Sequence, residues 1–128
     1  MRLKLFGSAA VLAFCGAIAL PGVATAGDGA ETKVTIKEAA SGDFYGFVKS
    51  PQPVRCAKDR KVTLYRQLGA TQMPSEDEKV NSDNASKQGD KYRWDTGNTN
   101  TPGKVYARAR KIEHCQGDSS PTIDSSAR

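Results

Sequence analysis

The sequence predicts an all-β fold, a single antiparallel β-sandwich of about six or seven short strands. Three observations carry this. Apolar residues recur with period two in most of the ordered-looking segments. Clusters of Gly, Pro, Asn, Asp and Ser separate those segments. No apolar stripe of helical spacing runs for three turns anywhere after residue 26.

In chain order, Thr32–Glu38 alternates, with Val34 and Ile36 on one face and Thr35 and Lys37 on the other. Ser41-Gly42-Asp43 is a turn. Phe44–Ser50 follows with Phe44, Gly46 and Val48 inward, until Pro51 and Pro53 stop it. Arg60–Gln67 points Val62 and Leu64 inward and Thr63 and Tyr65 outward. Residues 68–90 are polar and read as a loop, a weak edge strand around Lys79–Ser82 and a turn near Gln88-Gly89. Lys91–Asp95 puts Tyr92 and Trp94 on one face. Lys104–Cys115 is the longest strand, with Val105, Ala107 and Ala109 opposite Tyr106, Arg108 and Arg110. A short strand is expected at Pro121–Asp124, and the tail is expected to fray. The expected core is Val34, Ile36, Phe44, Val48, Val62, Leu64, Trp94, Val105 and Ala107.

The first 26 residues are expected to be a cleaved signal peptide. Arg2 and Lys4 form a positive start, Leu5–Leu20 is apolar, and Ala24-Thr25-Ala26 supplies small residues at a cleavage site. The apolar run of about 16 residues is short for a spanning helix. Cys15 follows bulky Phe14 and belongs with the leader rather than with a lipid anchor. No later segment is apolar enough to span a bilayer. Residues 27–128 then form one secreted domain, extracellular or at the cell surface and expected to be a monomer. They carry 17 basic and 14 acidic residues, a mild positive balance. Cys56 and Cys115 form an even pair in an exported chain, which predicts a disulfide. It would close a loop of about 60 residues and contribute about 4 kcal/mol.

The order of these segments resembles small secreted bacterial domains of the transthyretin-like (prealbumin-like, carboxypeptidase-regulatory-like) group, whose sandwiches are immunoglobulin-like in outline. The resemblance rests on Phe44, Gly46 and Val48 in an early strand and on Arg60, Val62, Leu64 and Tyr65 in a middle one. Gly89 to Tyr92 and Gly103 to Ala107 extend it over most of residues 43–115. It implies a β-sandwich that binds or supports rather than a particular chemistry. The His-rich site of hydroxyisourate hydrolases, which share a related fold, cannot be built with one histidine.

Two stretches look like protease motifs. Cys115-Gln116-Gly117-Asp118-Ser119-Ser120-Pro121 is similar to the nucleophile region of trypsin-like enzymes. Yet His114 is the only histidine, nine residues follow Ser119, and one sandwich cannot supply two barrels. Asp95-Thr96-Gly97 is similar to the loop of homodimeric aspartic proteases, but it comes late and lacks the apolar strand before it. Both read as turns, and no catalytic residue, metal site or cofactor is expected.

Binding is the better-supported class. Lys58, Arg60, Lys61, Tyr106, Arg108 and Arg110 would form a patch for an anionic partner, either a cell-envelope polymer or an acidic protein. Basic and aromatic residues interleave too sparsely to predict nucleic acid. The expected role is an exported, non-enzymatic binding or structural module. The alternatives are a small secreted inhibitor or defence-type protein, and a homodimeric hydrolase using Asp95.

Overall fold

Lys33 pairs with Lys49 and Val34 with Val48, so the first apolar alternation becomes the first rung of a sheet. The computed structural model describes residues 29–128, and the expected leader, with Cys15, lies outside the described residues. The strands are β1 (Lys33–Val34), β2 (Lys37–Ala40), β3 (Asp43–Lys49), β4 (Lys61–Arg66), β5 (Glu78–Asn84), β6 (Ser86–Gln88), β7 (Lys91–Asn98), β8 (Lys104–Ala109), β9 (Asp118–Ser119) and β10 (Ile123–Asp124). One short helix, α1 (Pro53–Cys56), joins β3 to β4.

Two antiparallel five-stranded sheets form the sandwich. The first has the order β1-β3-β7-β6, with β2 also paired to β3. The second has the order β10-β8-β4-β5, with β9 also paired to β8. These correspond to the A-B-E-D and G-F-C strands of an immunoglobulin-type sandwich, with β5 added beyond C. Between the sheets lie all nine residues expected in the core, joined by Ala57, Ala85, Tyr92 and Ala109. Trp94 is the largest fully buried side chain, and its indole N–H donates to Thr35 O at 3.0 Å. Gly46 makes that possible, because a Cβ there would sit 1.9 Å from Thr35 O. Cys56 and Cys115 are bonded and fully buried, with Cα atoms 5.6 Å apart.

Several local expectations change. The segment Thr32–Glu38 is two strands rather than one, because Thr35 crosses over Gly46 where the pairing is interrupted. Pro53, beyond the end of β3, starts a helical turn as well as keeping the strand from continuing, since proline's fixed φ suits a first helical position. The weak edge strand is longer than expected and continues past Ala85 into β6, so one stretch serves both sheets. The tail is held rather than frayed. The Glu38 carboxylate accepts from Ser126 N at 3.0 Å and from Ser126 Oγ at 2.9 Å, and Ala127 is buried.

Candidate functional site

The outer face of the second sheet carries a groove of about 680 Å³. Its floor is set by strand register. Thr63 on β4 pairs with Arg108 on β8 and with Ser82 on β5, so these three form one row across the sheet. Tyr65 pairs with Tyr106 and Lys79 in the next row. On the other side of the Thr63 row stand Lys61 and Arg110. Lys58 and Lys111 close that end, and Val80 and Ile112 add aliphatic surface at the rim.

Residues 29–128 contain 17 Lys and Arg against 13 Asp and Glu. Seven of the basic residues line this groove, and Asp59 is the one acidic residue that does. Elsewhere ten basic residues face twelve acidic ones, so the positive balance of the described chain resides in the groove. Among the described residues, none of its cations forms a salt bridge. Like charges converging in a concavity raise the local potential and concentrate anions there.

Four of the six residues predicted for an anionic patch present charge to this groove: Lys58, Lys61, Arg108 and Arg110. Arg60 and Tyr106 have other tasks. Arg60 is 3% exposed. Its guanidinium donates to Cys56 O at 2.8 Å, Arg110 O at 2.6 Å, Gln116 O at 2.8 Å and Thr32 Oγ1 at 3.3 Å. It ties α1, the end of β8 and the disulfide turn together behind the groove. Burial pushes its pKa down from the ordinary value, yet an arginine stays charged. Its Nε has no partner and it meets no carboxylate among the described residues. Its positive charge therefore adds to the groove's field from beneath.

Asp59, in the left-handed region at φ 57°, makes this arrangement possible. Aspartate tolerates that conformation better than most residues. The turn sends Lys58 and Lys61 outward and Arg60 inward.

Tyr106 lies on the predicted face but is fully buried. It stacks on Tyr65 with ring centroids 5.2 Å apart, and its hydroxyl donates to Asp77 Oδ2 at 2.6 Å. Asp77 also accepts from Leu68 N and Met73 N, which folds the polar loop back over both rings. Burial raises the Asp77 pKa, but these three hydrogen bonds outweigh it and hold the carboxyl below its usual range. Burial and the Asp77 partner push the Tyr106 phenol well above its ordinary value. Sequence reasoning missed Lys79 and the Asp77 contact. Lys79 stood in a stretch read as a weak edge, and Asp77 meets Tyr106 across 29 residues of sequence.

The protease-like stretches are structural, but neither is the simple turn expected: Asp118–Ser119 form β9, and Asp95-Thr96-Gly97 lies within β7. Ser120 Oγ accepts from Ala107 N at 2.9 Å and donates to Pro121 O at 2.9 Å. Asp118 accepts from Val34 N at 2.7 Å. The His114 ring is exposed beside Glu113, 3.3 Å away. Asp95 Oδ1 accepts from Gly97 N at 2.7 Å and Oδ2 from Arg93 at 2.9 Å. Gly97 takes φ 71° where the β3–β7 register slips, so Asp95-Thr96-Gly97 shapes a bulge. Among the described residues, no cluster of His, Cys, Asp and Glu is arranged to hold a metal. Comparison with known protein families, curated proteins and solved structures finds no match.

Proposed function

We propose that this protein is an exported, non-enzymatic binding module that holds an anionic partner in the groove on its second sheet. The observation that carries this is the concentration of seven basic residues and one acid around a single concavity. The buried disulfide accords with an oxidising compartment, and the transthyretin-like resemblance accords with a binding role. The test is retention on a sulfonate resin. Lys61→Glu/Arg110→Glu should elute at markedly lower salt than Lys87→Glu/Lys91→Glu, although both variants change net charge equally. Equal elution of the two would show that the groove has no special affinity.

A second reading is a small secreted inhibitor. One observation favours it: the loop fixed by Asp77 presents Leu68 and Met73, 58% and 50% exposed, on a backbone held by hydrogen bonds. A held loop with apolar tips loses little entropy on docking. Inhibition of extracellular proteases that disappears in Leu68→Asp/Met73→Asp would support it, and no inhibition would end it.

A further inference from the structure

Resting on the anion-binding reading above, we propose that the groove's ligand is a flexible polymer bearing tetrahedral oxyanions and no aromatic bases. A polyol phosphate, a polyphosphate or a sulfated glycan has this chemistry.

The donors around the central row come from different directions. Arg108, Thr63 and Ser82 lie side by side on three strands, about 4.8 Å apart. Lys61 and Arg110 flank them on one side and Lys79 on the other. A carboxylate is planar and is matched best by donors in its own plane. A phosphate or sulfate points its oxygens out of any one plane. It can take a hydroxyl from the floor and cations from both walls at once. Mixed Arg, Lys and hydroxyl donors are the usual partners of phosphate oxygens.

The groove also takes a chain rather than one anion. The rows of Lys61, Thr63 and Tyr65 follow one another along β4, about 6.8 Å apart. Cations stand beside the first and last rows as well as the central one, so a single oxyanion leaves most of them unmatched. The aliphatic rim of Val80 and Ile112 suits the carbon links between charged groups.

Two features set bases and peptide strands aside. Single-stranded nucleic acids gain about 1–3 kcal/mol per base by stacking on aromatic rings. The rings under this groove, Tyr65 and Tyr106, are 2% and 0% exposed and stacked on each other. An extended acidic peptide would most simply add to the free edge of β5. That strand carries an extra residue, Val80, where its register with β4 shifts, and presents Lys79, both of which discourage strand addition. The ligand therefore lies across the sheet face.

The experiment measures binding of the protein to chains of matched length and charge: polyphosphate, a glycerol-phosphate polymer, dextran sulfate, poly-glutamate and oligothymidine. Either phosphate chain, or dextran sulfate, should bind at least tenfold more tightly than poly-glutamate, and whichever binds best identifies the oxyanion source. Oligothymidine should bind no better than the base-free phosphate chains. Log affinity should fall with log salt at about 0.7 per contacted charge, and Arg108→Ala/Arg110→Ala should lower that slope by about 1.4. Poly-glutamate binding as tightly as the oxyanion chains would overturn the proposal while leaving an anion-binding groove. So would oligothymidine binding tenfold tighter than polyphosphate. If none of the chains binds, the groove reading falls with it. Arg110 is exposed and Arg108 half-buried, and the thermal midpoint of the double variant checks that lost binding is not lost folding.

Discussion

On the outer face of the first sheet, Arg93 lies 4.1 Å from the centre of the Tyr45 ring and 2.9 Å from Asp95. Lys91 stands 5.3 Å from the centre of the Phe47 ring. On the outer face of the second sheet, Lys61, Lys79, Arg108 and Arg110 line a hollow, and none of them has a carboxylate partner among the described residues. The aromatic rings there lie on the same outer face but are buried, packed on each other and covered by the loop that Asp77 holds. Both faces bear cations and tyrosines. The first engages Lys91 and Arg93 with rings and a neighbouring acid, while Lys33, Lys37 and Lys49 stand spread along its other strands rather than around a hollow. The second separates the two kinds of residue, burying the rings as a floor and leaving the charge directed at solvent. Composition alone cannot tell these faces apart; pairing can.

The largest way to break the comparison is to remove the disulfide. Cys56 and Cys115 lie 59 residues apart in sequence, and losing the bond should cost about 4 kcal/mol on chain-entropy grounds. The loss should fall unevenly. Cys56 O and Gln116 O are both acceptors of Arg60, so the groove's end wall depends on the bridge. In Cys56→Ala/Cys115→Ala, hydrogen exchange should quicken first around Lys58–Lys61 and Arg110–Gln116, and later in β3 and β7. Uniform quickening across both sheets would show that the bridge supports the whole sandwich without favouring the groove.

A smaller change acts on the groove's floor. Asp77→Ala leaves the buried Tyr106 hydroxyl and two loop N–H groups without their acceptor, which should cost about 2–3 kcal/mol at neutral pH. The sign of the pH dependence follows from the lowered Asp77 pKa. A carboxyl with a depressed folded pKa contributes stability above its unfolded value of about 3.9. That contribution is lost as pH falls through the folded value. The gap between wild type and Asp77→Ala, measured by urea unfolding, should therefore be full at pH 7 and narrow below about pH 4. A gap that stays constant down to pH 2 would mean that the charge of Asp77 adds nothing to its hydrogen bonds.

Period-two alternation made the strands and the core legible, because each burial choice is local: Phe44, Val48, Val62, Leu64 and Val105 alternate with polar neighbours and all go inside. The cysteine pair was legible once Cys15 was set aside with the expected leader, which leaves Cys56 and Cys115 as an even pair. Tyr106 misled because alternation gives the face of a residue and not what covers that face. Its cover comes from a loop whose polarity looked like solvent exposure, whereas Asp77 is buried within it. Arg60 misled for a related reason. A cation beside two lysines reads as surface until a left-handed Asp59 turns it inward. The groove's basic wall was half legible, since Arg108 and Arg110 stand two residues apart at the end of β8, which stops at Ala109 rather than running to Cys115 as expected, but Lys79 joins them only through the pairing of β5 with β4.

The smallest change sharpens the contrast from the other side. Arg93→Ala removes one cation–π contact and one partly exposed ion pair from the first face. Such contacts contribute about 0.5–1 kcal/mol each at exposed sites, and often less for the ion pair. The variant should therefore lose only about 1 kcal/mol of stability. Its ion-pair part should fade in salt, because exposed charges are screened over about 10 Å at 0.1 M. Its affinity for polyanions should match the wild type, because Arg93 is already engaged by Tyr45 and Asp95. Arg108→Ala should show the reverse: little change in stability and a clear loss of binding, since among the described residues that guanidinium forms no salt bridge. If Arg93→Ala weakens polyanion binding as much as Arg108→Ala does, cations on both faces contribute alike. The ligand then responds to net charge rather than to the unpaired charge gathered in the groove.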